Sequence, residues 1–384
     1  MNRISHKLIL GGFVGLMAIG GGGAYALSHN QSSQERGKTT ISSVVSDAVS
    51  SNDSDVDWAA LPTKNVTLSN ETLSITAAGT YVLTGSTNAG ILVNTDGNVR
   101  LVLSGATIKS TSGPALYVQS AKNAYIELAS GTTNTIEDTT NHPDTELDGA
   151  LYSADDLVLT GSGSLTVNGK YGDAVVSKDD LKITGGTYTI TSTDDGVRGT
   201  DSVSILGGSL TITAGGDGVK STNETDATKG FVYIKEGKLS ITAGDDGVHA
   251  TSQLVVDGGT IQVSKSVEGM EATNITINGG SLDINASDDG INATTKITGL
   301  DVFLKTTGGN VTVAVGQGDT DGLDSNGDVM ITGGTVTITA PTAAPASSID
   351  YNGTATLSGG TLVINGTQVS EIPAQQMGGP GNMR

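Results

Sequence analysis

Short stretches of alternating apolar and polar residues recur through the middle of this chain. In the segment 209–213, which reads SLTIT, Leu210 and Ile212 alternate with serine and threonine. A period of two places successive side chains on opposite faces of a β-strand, so one face of each strand is buried. Each stretch belongs to a longer phrase of strand, Gly-Gly pair and strand. That phrase stands at 181–191, 203–213, 254–264, 275–285 and 329–339.

A second phrase, an acidic residue followed by glycine and an apolar residue, alternates with the first. It reads STDDGVRG at 192–199, AGDDGVHA at 243–250 and ASDDGINA at 286–293. Aligned on the acid, successive copies lie 22, 29, 22, 21 and 32 residues apart. The repeating unit is therefore about 22 residues long, and the longer intervals carry insertions.

Three short strands in every 22 residues predict a right-handed parallel β-helix, an all-β fold of three-stranded coils. Each strand would pair in parallel with its equivalent in the next coil, and the inward Val, Ile and Leu would form a continuous core. Propeller blades need about 40 residues and four antiparallel strands, and the nonapeptide β-roll repeats every nine residues, so neither fits this period.

The domain boundaries follow from changes in composition. Residues 1–26 have a basic start, an apolar stretch and a small-residue Ala-Tyr-Ala motif, and predict a signal peptide or an N-terminal anchor. Residues 27–60 are Ser- and Asp-rich and predict a flexible linker. Residues 61–372 form the predicted β-helix, and 373–384 predict a disordered Gly/Pro/Met tail. A secreted or cell-surface bacterial protein is expected, since the chain has no cysteine.

The net charge of −20 excludes nucleic acid as a favoured partner and suits a protein that binds cations. Residues one repeating unit apart in sequence lie about 4.8 Å apart in a β-helix, so the acids would form vertical rows. Carboxylates at that spacing can share a Ca²⁺ ion, which prefers oxygen ligands. The alternative is that each aspartate only caps a turn. The predicted calcium ligands are Asp194, Asp195, Asp217, Asp245, Asp246, Glu268, Asp288, Asp289 and Asp321.

The residue two positions after each glycine forms a further predicted row on the outer face. This row is basic in the early coils and acidic in the late ones, and it predicts either a solvated face or a ligand groove. Aromatic residues make up only 3% of the chain, and Tyr117 and Tyr152 alone offer a weak outward platform. The predicted ligand-binding residues are Arg198, Lys220, His249, Glu271, Asn292 and Asp324.

The DDGV and DDGI phrases that alternate with ITGG-type corners, together with the Gly/Met/Pro tail, resemble a known family. It is the secreted, calcium-binding, carbohydrate-binding parallel β-helix family related to pectate lyases, and the resemblance covers residues 61–372. It implies a calcium-bound β-helix at the bacterial surface that recognises plant cell-wall polysaccharide, either cellulose or acidic pectin. We expect a monomer that binds its ligand without catalysis. The scarcity of aromatics favours an acidic, pectin-like polymer.

Two other functions stay open at this point. A pectate lyase would use calcium and a basic side chain to remove the C5 proton, and Lys220 and Arg198 are the candidates. Lysine beside several acids keeps its proton, which disfavours that role. The second alternative is a structural surface protein or adhesin, which would have no need of an acidic row.

Overall fold

The structure, a computed structural model, describes residues 56–318, 320–342 and 346–374. The predicted signal peptide or anchor at 1–26 lies outside the described residues, as do most of the predicted linker and nearly all of the predicted tail. The linker's last three residues, Trp58–Ala60, form a 3-10 helix capped by Asp57. No α-helix is present among the described residues, and none of their helices is long and apolar enough to cross a membrane.

Parallel strands pair with their equivalents one repeat away, as the periodicity predicts. Val197 pairs with Val219, Val219 with Val248, and Val248 with Met270. Most coils contribute three strands, which confirms the predicted parallel β-helix. The strands form two sheets, one of 12 strands and one of 24 strands, within the described part of the chain.

The 12-stranded sheet follows the acid-Gly phrases, and its strands are mostly three to five residues long. All its neighbouring strands are one coil apart. In chain order they are Leu73–Ile75, Ile91–Asn94, Leu116–Ser120, Gly149–Ser153, Asp173–Ser177, Val197–Gly199, Val219–Ser221, Val248–Ala250, Met270–Ala272, Ile291–Ala293, Asp321–Ser325 and Ser347–Tyr351.

The 24-stranded sheet contains two ladders that separate at the Gly-Gly corners. The first three coils have two strands each, and the long strand Asn98–Lys109 of the third coil pairs with both Asn123–Leu128 and Thr133–Glu137. The first ladder is Thr63–Leu68, Gly79–Thr87, Asn98–Lys109, Asn123–Leu128, Leu157–Gly161, Asp180–Ile183, Ser202–Ile205, Phe231–Ile234, Gln253–Val256, Asn274–Ile277, Phe303–Thr306, Asp328–Ile331 and Ala355–Leu357. The second is Thr133–Glu137, Ser164–Gly169, Thr187–Ser192, Ser209–Thr213, Lys238–Thr242, Thr260–Lys265, Ser281–Ala286, Asn310–Val315, Thr335–Thr339, Thr361–Ile364 and Thr367–Val369.

The core is a set of vertical columns of aliphatic side chains. Val197, Val219 and Val248 are all completely buried, and Leu210 and Ile212 of the alternating segment are nearly so. Burying one such side chain contributes about 1.5–3 kcal/mol. Since every coil repeats the same inward positions, this contribution is renewed along the whole stack.

The two kinds of glycine in the repeat have different physical roles. Gly208, the second residue of a Gly-Gly corner, has φ +92°, a left-handed conformation that favours glycine. Gly218, which follows an aspartate, is outside that region. A Cβ on Gly218 would lie 2.5 Å from Ile241 Cγ2 and 2.6 Å from the Gly247 carbonyl oxygen of the next coil. The Asp-Gly phrase therefore reflects close packing between coils, not a left-handed turn.

Both ends of the described stack carry elements that the repeat does not predict. Trp58 packs edge-on against Tyr125 with ring centroids 5.0 Å apart, and the Arg100 guanidinium lies 5.0 Å from the Trp58 ring. At the other end, Asn365 and Gly366 turn the chain so that Thr367–Val369 pairs antiparallel with Thr361–Ile364. This short hairpin covers an edge that another strand could otherwise extend.

Replacing Gly218 by alanine is expected to destabilise the protein by about 1–3 kcal/mol, because the added methyl group overpacks the space between two coils. Urea unfolding followed by circular dichroism measures this. Thr211→Ala, at an exposed strand position, is the control and should stay within about 0.5 kcal/mol of the parent. Equal stability of the Gly218→Ala variant and the parent would contradict this packing role.

Candidate functional site

One outward row of side chains runs the length of the 12-stranded sheet, and we refer to it as the strip. Backbone register pairs Arg198 with Lys220, Lys220 with His249, and so on to the last coil, which confirms the predicted row. The register also extends the strip in both directions. Its members in order are Leu92, Tyr117, Tyr152, Val176, Arg198, Lys220, His249, Glu271, Asn292, Asp324 and Asp350.

The acids before the glycines form a second row beside the strip, which we refer to as the acid ladder. Asp195 Oδ1 accepts the backbone N–H of Asp217 at 2.8 Å, and Asp217 Oδ1 accepts that of Asp246 at 2.7 Å. Asp195, Asp217 and Asp246 are all buried. The carboxylates thus hold the next coil's backbone and do not cap their own turn. Asp173, Asp289 and Asp321 make the same bond to the coils that follow them.

The second carboxylate oxygens of the early ladder face basic members of the strip. Lys220 Nζ lies 3.2 Å from Asp195 Oδ2 and 2.7 Å from Asp217 Oδ2. Arg198 donates to Asp148 at 2.6 Å and to Asp173 at 2.5 Å. Burial lowers the pKa of both bases, but these acids outweigh it and raise the pKa of each. In these coils the two bases of the strip partly neutralise four carboxylates.

A hydrogen-bonded cluster occupies the middle of the strip. His249 Nδ1 lies 3.0 Å from Asp246 Oδ2 and 3.1 Å from Glu271 Oε2, and Lys296 Nζ lies 2.7 Å from Glu271 Oε2. Burial lowers the pKa of His249, but Asp246 and Glu271 raise it to about 9. Burial and then Glu271 raise the pKa of Glu268 to about 8. The cluster therefore favours a protonated histidine at neutral pH.

The outermost acids lie in every second coil. Asp194 and Asp245 are exposed, and a chain of backbone hydrogen bonds places Gly216 between them. Val267 likewise separates Asp245 from Asp288. Equivalent exposed carboxylates are therefore two coils apart and cannot share one ion with each other, although each lies beside a ladder acid of its own coil.

The late coils combine carboxylates with an amide oxygen that lacks a partner. Asp321, Asp324 and Asp350 offer oxygens that lie within 4.8 Å of one another. Asn292 is 7% exposed, and its Nδ2 donates to Glu268 in the preceding coil at 2.8 Å. Its Oδ1 is buried without a hydrogen-bond partner. In the following coil, Asp324 is the register partner of Asn292.

The electrostatics of the late coils differ from those of the early coils. The strip there consists of Asn292, Asp324 and Asp350, so no basic residue occupies it in these described coils. Burial, followed by the charges of Asp289, Asp321 and Asp350, raises the pKa of Asp324 to about 7. An arrangement of oxygen atoms with excess negative charge is the environment that a hard divalent cation prefers.

The structure brings some predicted ligands together and separates others. Three further groups have ligand atoms within 4.8 Å of one another: Asp173, Asp194 and Asp195; Asp217, Asp245 and Asp246; and Asp246, His249 and Glu271. The metal-binding role of the predicted calcium ligands among them stays a prediction. Sequence reasoning left Asp173, Asp350 and Lys296 out of the site. Asp173 shares the 22-residue spacing, and Asp350 follows an apolar residue as Asp324 does, so the repeat could have identified both. Lys296 lies in an insertion, where the repeat gives no information.

The fold and site define a parallel β-solenoid with a long acidic outer face. The profile of the family described as "Carbohydrate-binding domain-containing protein" matches residues 69–319 and 264–374. These matches cover most of the chain, so the chain belongs to that carbohydrate-binding domain family, in agreement with the resemblance seen in the sequence.

Two individual proteins are similar to this chain. A protein of Acetivibrio thermocellus, named "Carbohydrate-binding domain-containing protein", is 35% identical over 133 residues, which are 33% of this chain and 46% of that protein. The match thus spans about half the length of that curated relative. A solved structure described as the polysaccharide lyase-like protein from C. thermocellum, gadolinium derivative, aligns with 79% of this chain and 96% of its own, at 24% identity and a TM-score of 0.44.

Removing one ladder carboxylate is expected to cost stability even without any metal ion. Asp217→Ala leaves the Asp246 N–H without its acceptor and the Lys220 ammonium with Asp195 alone, at a cost of about 3 kcal/mol. Asp217→Asn keeps an acceptor oxygen and should lose less. The measurement is urea unfolding in chelator. The exposed neighbour provides the control, since Asp245→Ala should change stability by less than about 0.5 kcal/mol; equal effects of the two alanine variants would contradict the ladder.

The His249 cluster predicts a pH dependence of stability. A histidine whose pKa rises from 6.5 to about 9 on folding contributes stability that is complete below pH 6.5 and is lost as the pH rises through 9. Parent unfolding free energy should therefore fall by roughly 2–3 kcal/mol over that range. His249→Gln should have a flatter profile. Parallel profiles for parent and variant, measured by urea unfolding from pH 6 to 9.5, would refute the assignment.

Proposed function

We propose that this protein is a non-catalytic, calcium-dependent carbohydrate-binding protein that recognises an acidic, pectin-like polysaccharide along the strip. Family membership supports carbohydrate binding. The observation that supports the calcium requirement is the late-coil cluster, where oxygens of Asp321, Asp324 and Asp350 lie within 4.8 Å of one another. Asn292, the register neighbour of Asp324, has a buried Oδ1 without a hydrogen-bond partner. A protein at the cell surface, as the N-terminal sequence predicts, would have access to such a polymer.

The residues of the late coils fit a calcium ion. Ca²⁺ takes six to eight oxygen ligands from carboxylates, amide carbonyls and water. Asp321, Asp324, Asp350 and the Asn292 amide would supply carboxylate and carbonyl oxygens, and Asp289 adds negative charge nearby. A buried amide oxygen without a partner costs about 1–3 kcal/mol, and an ion would satisfy it. The bound ion would contribute positive charge and coordination positions for a ligand oxygen.

The charges of the strip explain why an acidic polymer would need the ion. The predicted direct partners of a uronate, Arg198 and Lys220, are already engaged by four aspartates. Their side chains are only 12% and 28% exposed. An anionic sugar that approaches this face meets mostly carboxylates, so a bridging cation is required for attraction.

The same ion pairs disfavour a lyase that uses these residues. A base that removes the C5 proton must be neutral before the reaction. Lys220 lies between Asp195 and Asp217, and Arg198 between Asp148 and Asp173, and the raised pKa of each base keeps it protonated. Binding is therefore the function that the geometry of the strip supports best.

Binding to polygalacturonate is expected to require Ca²⁺ and to be lost in chelator. Asp324→Asn/Asp350→Asn should bind polygalacturonate at least tenfold more weakly in the same calcium concentration. Affinity electrophoresis measures this, and Asp283→Asn, which changes an exposed acid on the 24-stranded sheet, is the matched control. The unfolding free energy of the parent should also increase with Ca²⁺, by about 2.7 kcal/mol at a hundredfold excess over Kd, and melting curves should shift to higher temperature.

Two results would overturn the proposal. Polygalacturonate binding by the double variant in chelator, at the parent's affinity, would show that the late carboxylates only stabilise the coils. A steady release of ultraviolet-absorbing unsaturated uronides, abolished in Lys220→Ala, would identify a lyase instead.

A further inference from the structure

A cavity of about 380 Å³ lies at the N-terminal end of the strip, away from the acid ladder. It is the kind of concave, partly apolar site that small ligands occupy, with a few polar groups at its rim. Tyr117 and Leu92, two members of the strip, lie in its wall, so the cavity belongs to the same face as the late-coil site. Its lining includes Thr72, Leu92, Ser110, Ser112, Tyr117 and Asp144.

The Tyr117 ring is held in place by the next coil. Tyr152 is its register partner, and the two rings pack edge to face with centroids 5.7 Å apart and an interplanar angle of 74°. Tyr152 is buried, whereas Tyr117 stays half-buried beside the cavity. A fixed aromatic surface costs little conformational entropy when a ligand packs on it.

The opposite wall is an insertion that a buried pair anchors. Pro143, Asp144 and Leu147 line the cavity from this segment. His142 Nδ1 donates to the Leu147 carbonyl oxygen at 2.6 Å, and its Nε2 lies 3.0 Å from Asp138 Oδ2, with both side chains fully buried. The His142 ring also stacks on Tyr171 at 4.3 Å. The wall is therefore positioned before any ligand arrives.

The polar groups of the cavity select against an anionic ligand. No lysine, arginine or histidine lines it, and Asp144 is the charged residue in its lining. Asp144 and the hydroxyls of Ser110, Ser112 and Thr72 offer acceptors and donors that match sugar hydroxyl groups. A uronate carboxylate would be repelled by Asp144, whereas an uncharged ring would not.

We propose that this cavity is a second carbohydrate subsite, which binds one uncharged pyranose ring against Tyr117 and works without calcium. This second subsite rests on the carbohydrate binding proposed above but not on the cation site. Eight coil steps separate Tyr117 from Asp324 in the sheet order, roughly 38 Å at 4.8 Å per strand. A single chain with neutral and acidic segments could then contact both ends of the strip.

Saturation-transfer NMR with the full chain tests the subsite. The probes are hexasaccharides of β-linked glucose, galactose, xylose and mannose, each in calcium and in chelator. Transfer to at least one of them is expected, equally in both conditions. Tyr117→Ala should weaken its affinity by roughly tenfold, the scale of one lost aromatic contact. Tyr117→Phe, which keeps the ring, should retain the affinity.

A second variant distinguishes loss of the subsite from loss of folding. Ser112 is exposed, so Ser112→Trp fills the cavity without removing a buried contact and should abolish transfer. Asp324→Asn/Asp350→Asn should leave neutral-sugar transfer unchanged. Absence of transfer from all four probes, or a Ser112→Trp variant that binds like the parent, would overturn the subsite. Calcium-dependent binding of polygalacturonate by Ser112→Trp would show that the proposed function survives that result.

Discussion

The hydrogen bond from one coil's backbone N–H to the carboxylate of the coil before it is the constraint on which this face depends. The Asp217 N–H donates such a bond to Asp195 at 2.8 Å, and the Asp217 carboxylate accepts one from the Asp246 N–H at 2.7 Å. The glycine that follows lets the next coil's carbonyl oxygen approach to a distance that a Cβ would forbid. Asp and Gly thus act as one unit, and this unit sets the spacing of the sheet beside it.

The ladder carries an electrostatic cost that the strip offsets in three different ways. Like charges about 4.8 Å apart repel by roughly 1 kcal/mol in water and about 3–4 kcal/mol at an effective dielectric constant of 20. Early coils place Arg198 and Lys220 among the acids. The middle coils share protons among His249, Glu268 and Glu271. The last coils have no basic residue in the strip, and there burial and the neighbouring carboxylates raise the pKa of Asp324 to about 7, so its protonation lowers the repulsion.

This division turns one repeating structure into a face with distinct ends. The N-terminal end presents Tyr117 and a cavity, the middle pairs His249 with carboxylates, and the C-terminal end brings Asp321, Asp324 and Asp350 together. A solenoid allows this because each coil contacts mainly its neighbours, so a position can change from coil to coil without disturbing the core. The function of such a face therefore depends on its outward residues alone.

The sequence determined the repeat, the parallel coils and both rows, because a period of 22 residues and a strand period of two leave one way to stack the inward Val197, Val219 and Val248. It also placed Arg198 to Asp324 in register. It could not reveal that Asp195 holds the next coil's backbone, or that Lys220 lies between two aspartates, since side-chain orientation across coils is a tertiary property. The orphaned Asn292 oxygen and the cavity wall anchored by His142 likewise depend on contacts between distant residues. Only the folded stack decided which acids are neutralised and which remain for a ligand.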